Sequence, residues 1–275
     1  MDRRLTPFSG RVAHVSLRGK LQAEAFVPGD WHRVCRPVVD LDKAPGGARD
    51  RQVLWGDRFL VIDRRDGLAY GQAEKDGFCG WLPETALGPD TPVTHRVAAL
   101  SSHLYTEPRV QAREISALPF GAQVQVTGSS GKFSETPGGF IPTAHLRPLA
   151  TPLADPVAVA AMFLGAPYLW GGNSAAGLDC SGLAQASLLA CGIACPGDSD
   201  LQQAIGHEIP PQDPVMPGDL VFWKGHVAVV SGADEIIHAT GAFMSVVREP
   251  LSGAVARILA KGEGPMVARR RVGAG

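Results

Sequence analysis

Nowhere in its first 150 residues does this chain hold an apolar period long enough for a helix of ordinary length. Its apolar runs there are short and are broken by Gly, Pro and Asp, the punctuation of strands and tight turns. An internal repeat lies over that texture. Leu41 and Pro45, Leu54-Trp55-Gly56, Gly80-Trp81-Leu82-Pro83 and Leu87 are echoed by Leu104 and Pro108, Pro119-Phe120-Gly121, Gly139-Phe140-Ile141-Pro142 and Leu146. The period is roughly 60 residues, with differences in loop length. A unit of that size made of short strands is a small β-barrel, so the reading is two of them, over 36–90 and 91–149. Residues 1–35 precede the first as an N-terminal extension. Ala13, Val15 and Leu17 alternate there with His14, Ser16 and Arg18, the pattern of an added strand.

The texture changes after Pro148-Leu-Ala-Thr-Pro-Leu-Ala-Asp-Pro156, a proline-stiffened linker with no apolar period across it. Asp155 followed by Pro156 reads as an N-cap with proline at the first helical position. An apolar helix over 157–164 follows, ending at Gly165. A second helix starts at Cys180, with Leu183, Ala184, Leu188 and Cys191 at helical spacing and Gly192 as its stop. Beyond Pro217-Gly218 come strand-like runs over 220–223, 226–230 and 235–239. Helices followed by antiparallel strands make residues 150–275 an α+β domain.

Composition narrows the function classes. Hydrophobic residues are 45% and charged residues 19% of the chain, and the formal net charge is -1. That balance makes no electrostatic case for a nucleic acid or an anionic membrane as partner. The run Arg269-Arg270-Arg271 reads as a solvated tail. The N-terminus is charged and lacks the apolar core of a secretory signal, and no stretch approaches the length of a membrane helix, so the expected location is the cytoplasm. The five cysteines are an odd, irregular set, against a disulfide framework. Cys191 and Cys195 form C-x3-C without a second pair, so no metal site is expected. Cys35, Cys79, Cys191 and Cys195 read as small buried hydrophobes.

Cys180 differs from these. Asp179 is a good N-cap, which puts Cys180 in the first turn of a helix, where the aligned amide dipoles favour a thiolate. The thiolate is the nucleophilic form of cysteine. His226 opens one strand run and His238 lies in the next, with the turn-forming Ser231-Gly232-Ala233-Asp234 between them. A hairpin centred near Gly232 sets the two histidines directly opposite each other on one face. A nucleophile, a base and a polar group that orients the base make up an activated acyl-transfer site. The order Cys, His, polar residue is the papain-like order.

Five segments in order complete the picture: Pro167-Tyr168-Leu169-Trp170-Gly171-Gly172, Asp179-Cys180-Ser181-Gly182, Pro217-Gly218-Asp219-Leu220-Val221-Phe222, Gly225-His226-Val227-Ala228-Val229 and Ile237-His238-Ala239. Together they resemble the NlpC-type cysteine peptidases, compact papain-like enzymes that cut bacterial cell-wall peptides. The Gly-aromatic-aliphatic-Pro-x3-Leu element that closes each repeat resembles the last strands of bacterial SH3-like domains. The expected fold is therefore two small SH3-like β-barrels followed by an α+β papain-like catalytic domain.

The resemblance implies Cys180 as nucleophile, His226 as base, His238 as third member and Tyr168 as a hydroxyl beside the oxyanion, with no cofactor. The full layout is similar to that of γ-D-glutamyl-L-diamino acid endopeptidases, which recycle murein tripeptides and tetrapeptides bearing a free N-terminal L-Ala. It carries substrate-binding roles to Asp179 and Ser199, with Ser181 grouped beside them. Asp57 is the implied acid from the first SH3-like domain. That family's aromatic hydroxyl falls where this chain has Phe78, with Tyr70 as the substitute. Two other readings share these residues: an amidase or acyltransferase on the same Cys-His-His core, and a non-catalytic peptidoglycan-binding protein.

Overall fold

Short strands built from the apolar runs before residue 150 pack their inward faces together. The computed structural model describes residues 1–273, and the chain divides into two compact units, Met1–Ala150 and Thr151–Gly275. The first unit opens on a seven-stranded antiparallel sheet. Its order is Arg49–Leu54, Val38–Asp42, Cys79–Pro83, Leu68–Ala73, Arg58–Arg65, Asp30–Val34 and Leu87–Pro89. Val39, Leu41, Phe59, Val61, Phe78 and Leu82 fill the core beneath it. The sheet takes in Asp30–Val34, which lies inside the segment expected to precede it. Farther upstream Val12–His14 forms a strand, and Val15–Leu17 then winds into one 3-10 turn, so the alternation over 13–17 is only partly strand.

Strands of the second repeat form a five-stranded and a three-stranded sheet around Val97, Leu104, Leu118, Val124 and Ile141. The closing element takes the same local form in both repeats. Cys79–Pro83, the 3-10 turn Glu84–Ala86 and Leu87–Pro89 correspond to Gly139–Pro142, Thr143–His145 and Leu146–Pro148.

In the second unit Asp155 accepts the Val157 N–H and Pro156 fills the first position of helix α1, Pro156–Met162. Helix α2, Cys180–Ala190, is capped by Asp179 and ends before Gly192, whose φ of 76° suits only glycine comfortably. Helix α3 is the single turn Ser199–Gln202, and α4 is Leu251–Ala260. A six-stranded antiparallel sheet runs in the order His207–Glu208, Ala268–Arg271, Leu220–Trp223, His226–Gly232, Glu235–Thr240 and Ser245–Glu249. Val221, Trp223, Ala228, Val230 and Ile236 pack on Ala254 and Ile258 of α4.

Two expectations are corrected by this sheet. The arginine run is no solvated tail: Ala268–Arg271 is a sheet strand paired with Leu220–Trp223. Arg271 grips the buried Asp219 through two hydrogen bonds of 2.9 Å each. The His226 hairpin also has a different register. Val229 pairs with Ile237 and Val230 with Ile236, and a bulge at the turn lets Gly232 pair with Glu235. Continuing that register sets Ala228, not His226, opposite His238. The shift is by two residues, the period of a strand, so both histidines keep the same face and meet diagonally.

Candidate active site

Cys180 is the first residue of α2, and its N–H is one of the helix's four amides without an intrahelical partner. Asp179 holds the start of the helix with three bonds. Its Oδ1 accepts the Gly182 N–H at 2.6 Å and the Ser181 hydroxyl at 2.8 Å, and its Oδ2 accepts the Gly171 N–H at 2.9 Å. The helix end is thereby tied to the 167–172 loop. The approach is close enough to require glycine: a Cβ on Gly182 would meet the Gly172 carbonyl oxygen at 2.3 Å. That loop carries Tyr168, half-buried, and pairs it with Leu178 just ahead of Asp179.

The Cys180 sulfur lies 4.0 Å from the carbonyl oxygen of Gly225, the residue before His226, at the start of the His226–Gly232 strand. His226 Nε2 is 2.8 Å from His238 Nδ1, with ring centroids 5.0 Å apart. His226 Nδ1 is the ring nitrogen not taken up in that contact. His238 is fully buried. Its Nε2 lies 2.7 Å from Glu249 Oε1, on the neighbouring strand, and Glu249 in turn is bonded to Arg257 of α4.

Burial governs the charges. It pushes the Cys180 thiol up to about 12, with the Asp179 carboxylate adding to the effect and the N–H groups of Val227, Ser181 and Cys180 opposing it. The helix terminus favours the thiolate as expected, but desolvation outweighs it. Burial, then His238 and Arg257, lowers His226 to about 3. Burial, then Arg257, lowers His238 to about 4. Tyr168 is raised to about 12 by burial and by the neighbouring Cys180 and Asp179 charges, which keeps its hydroxyl protonated as a donor.

Ser199 begins α3 and is buried, and Gln202 of the same turn donates to the Ser181 carbonyl at 2.9 Å. The residues expected from the first unit are placed differently. Asp57 is buried and already engaged, accepting the Leu54 N–H at 2.8 Å and the Lys75 ammonium at 2.5 Å. Phe78 is in the core, 1% exposed, where truncation removes packing worth about 3–5 kcal/mol. Tyr70 is buried against Trp81, with its hydroxyl donating to the Thr6 carbonyl at 3.3 Å. Phe78 and Tyr70 are held within the fold itself, and both of these Asp57 contacts fall on its Oδ2. The sequence reading missed Glu249 and Arg257. Neither belongs to a recognised segment, and only the sheet register carries them to His238.

An antiparallel sheet carrying a paired imidazole, a cysteine at a nearby helix N-terminus and a tyrosine in the adjoining loop fit a cysteine-type peptidase. Residues 165–257 match the NlpC/P60 family, and residues 41–87 match the bacterial dipeptidyl-peptidase SH3 domain. This chain is a hydrolase with an NlpC/P60 peptidase domain and a bacterial dipeptidyl-peptidase SH3 domain ahead of it. It is 28% identical over 238 residues to a γ-D-glutamyl-L-lysine dipeptidyl-peptidase of Bacillus cereus, covering 74% of this chain and 71% of the relative. The enzyme of that name from Bacillus subtilis is 27% identical over 214 residues, covering 68% and 71%. The crystal structure of an NlpC/P60 family protein from Bacillus cereus ATCC 10987 has the same fold. Its TM-score is 0.75 at 21% identity, over 88% of this chain and 99% of that one.

Proposed function

We propose that this protein is a cysteine peptidase of cell-wall peptide recycling in the cytoplasm. It hydrolyses the γ-D-glutamyl-L-diamino acid bond of murein tripeptides and tetrapeptides with a free N-terminal L-Ala and releases L-Ala-γ-D-Glu. The observation that carries this reading is Cys180 at the start of α2 beside the His226–His238 pair, in a domain of the NlpC/P60 family. The names of the two Bacillus relatives, which carry the γ-D-glutamyl-L-lysine bond, support the choice of bond. Among the described residues no helix is long and apolar enough to cross a membrane.

In this reading the second repeat, 91–149, is a second SH3-like barrel, and 150–275 is the catalytic domain. Cys180 attacks the γ-glutamyl carbonyl as its proton passes to His226 Nδ1. The neutral resting forms favoured by burial make that transfer part of the attack. The Cys180 N–H and the Tyr168 hydroxyl receive the oxyanion, a large share of the stabilisation in such reactions. His226 then protonates the leaving amine and activates the water that frees the dipeptide. Asp179, Ser181 and Ser199 face the amino end of the substrate. Asp179 spends three acceptor positions on the protein, and its remaining lone pair is the one offered to an ammonium.

The test is incubation of the protein and its Cys180→Ala variant with L-Ala-γ-D-Glu-meso-diaminopimelate and L-Ala-γ-D-Glu-L-Lys, each with and without an N-acetyl block. Mass spectrometry should find L-Ala-γ-D-Glu from the free peptides with the parent protein alone. Equal cleavage of the acetylated peptides would discard the free-amine requirement. Intact peptides throughout would discard the assignment of substrate.

A further inference from the structure

Beyond the cysteine and its two histidines, a carboxylate lies at the far end of the imidazole pair. We infer that Glu249 is a positioning residue that sets the proton order of both imidazoles and so makes His226 Nδ1 the basic nitrogen. The inference rests on Cys180 and His226 acting as nucleophile and base.

The argument starts at a buried atom. His238 Nε2 is shut off from solvent and has no aligned hydrogen-bond partner. Glu249 Oε1 lies only 2.7 Å from it, off the N–H axis, and its side chain is just 14% exposed. Glu249 Oε1 also receives the guanidinium of Arg257, itself held over the Phe243 ring with the guanidinium carbon 5.3 Å from the ring centroid. A guanidinium is always charged, and a carboxylate paired with it is an acceptor only. The proton of His238 therefore belongs on Nε2, facing Glu249, and its Nδ1 carries the lone pair.

His238 Nδ1 can then only accept across the 2.8 Å contact, so His226 Nε2 must donate. That leaves His226 Nδ1 unprotonated at the nitrogen available to Cys180. The order of bonds runs from Cys180 S–H to His226 Nδ1, from His226 Nε2–H to His238 Nδ1, and from His238 Nε2–H to Glu249. When His226 takes the thiol proton, its positive charge is shared toward Glu249 through this chain. Alignment of such contacts commonly improves only once substrate is engaged. The charged groups acting on His226 are His238, Arg257, Glu249 and Asp179, and Glu249 and Asp179 are the two that favour the imidazolium.

Both Arg257 and His238 Nε2 face Glu249 Oε1, so Glu249→Leu removes the acceptor that holds the His238 proton on Nε2 and permits the opposite proton order, which blocks His226 Nδ1. The measurement is the rate of Cys180 alkylation by iodoacetamide from pH 4 to 9, read by peptide mapping, with kcat and KM on cleaved peptide alongside. Alkylation and kcat should fall at least about tenfold with KM unchanged; a wrong tautomer in a comparable triad costs up to ~10⁴-fold. A folded Glu249→Leu protein with the parent's alkylation profile would overturn the inference. ¹⁵N-histidine NMR of the unmodified protein reads the same point without a variant: both His226 and His238 should be protonated at Nε2, and a proton on His238 Nδ1 would overturn it. Neither readout needs the murein substrate, so a protein with this relay that leaves murein peptides intact would discard the substrate and keep the relay.

Discussion

His226 and His238 are imidazoles kept neutral by their surroundings, and that decides how the protein responds to acid. Both are held below the ordinary value near 6.5, at about 3 and about 4. A base works only while unprotonated, so kcat/KM should stay on its plateau well below pH 6.5 and fall only near the lowered values. An acid limb centred at 6.5 in a pH series would refute this. The same shifts act on stability. Protonation favours the unfolded chain, so the stability contributed by the neutral imidazoles is complete above pH 6.5 and is lost as pH falls toward about 4. Melting temperature measured at pH 7 and pH 4.5 should record that loss. Asp57 shows a different case, a buried carboxylate paired through Oδ2 with Lys75. Its role as an acid in Leu-Trp-Gly-Asp was read from motif position, and nothing in the linear order brings Lys75 beside it.

At the scale of elements, the start of α2 is the joint on which the site depends. Asp179 satisfies the Gly182 and Gly171 amides and the Ser181 hydroxyl at once, so it caps the helix and fastens the Tyr168 loop to it. Asp179→Ala should lower stability by about 2–3 kcal/mol, since a cap is lost and buried donors are left without partners. Urea unfolding should give a lower midpoint with an unchanged m-value for the Thr151–Gly275 transition; a midpoint equal to the parent's would rule out the joint. The cap, the helix and its glycine stop were legible because they depend on neighbours within four residues. The strand runs holding the two histidines were legible for the same reason, as short apolar runs on either side of Ser231-Gly232-Ala233-Asp234. Their register was not. The turn falls beyond Gly232 and a one-residue bulge follows it in the ladder; together they displace the pairing by two residues, and only the evenness of that shift preserved the meeting of His226 with His238.

Over the whole molecule, each of the two units carries its own apolar core. Cores that do not share residues can melt independently, so calorimetry should resolve two transitions, with a calorimetric enthalpy above the van't Hoff value. A single two-state transition would contradict this. The sequence by itself determined the β-rich first half, the break near residue 150, the helix caps and the cysteine with its two histidines. Each of these is written in local spacing, composition or an ordered run of motifs. Tertiary structure alone decided which polar groups are free and which are spoken for. It buried Phe78 and Tyr70, gave Asp57 to Lys75, turned the arginine run into a strand around Asp219, and brought Glu249 and Arg257 behind His238. The physical reason is that burial and pairing depend on residues far apart in the chain, and desolvation, the largest influence on this site's charges, exists only once those residues have closed around it.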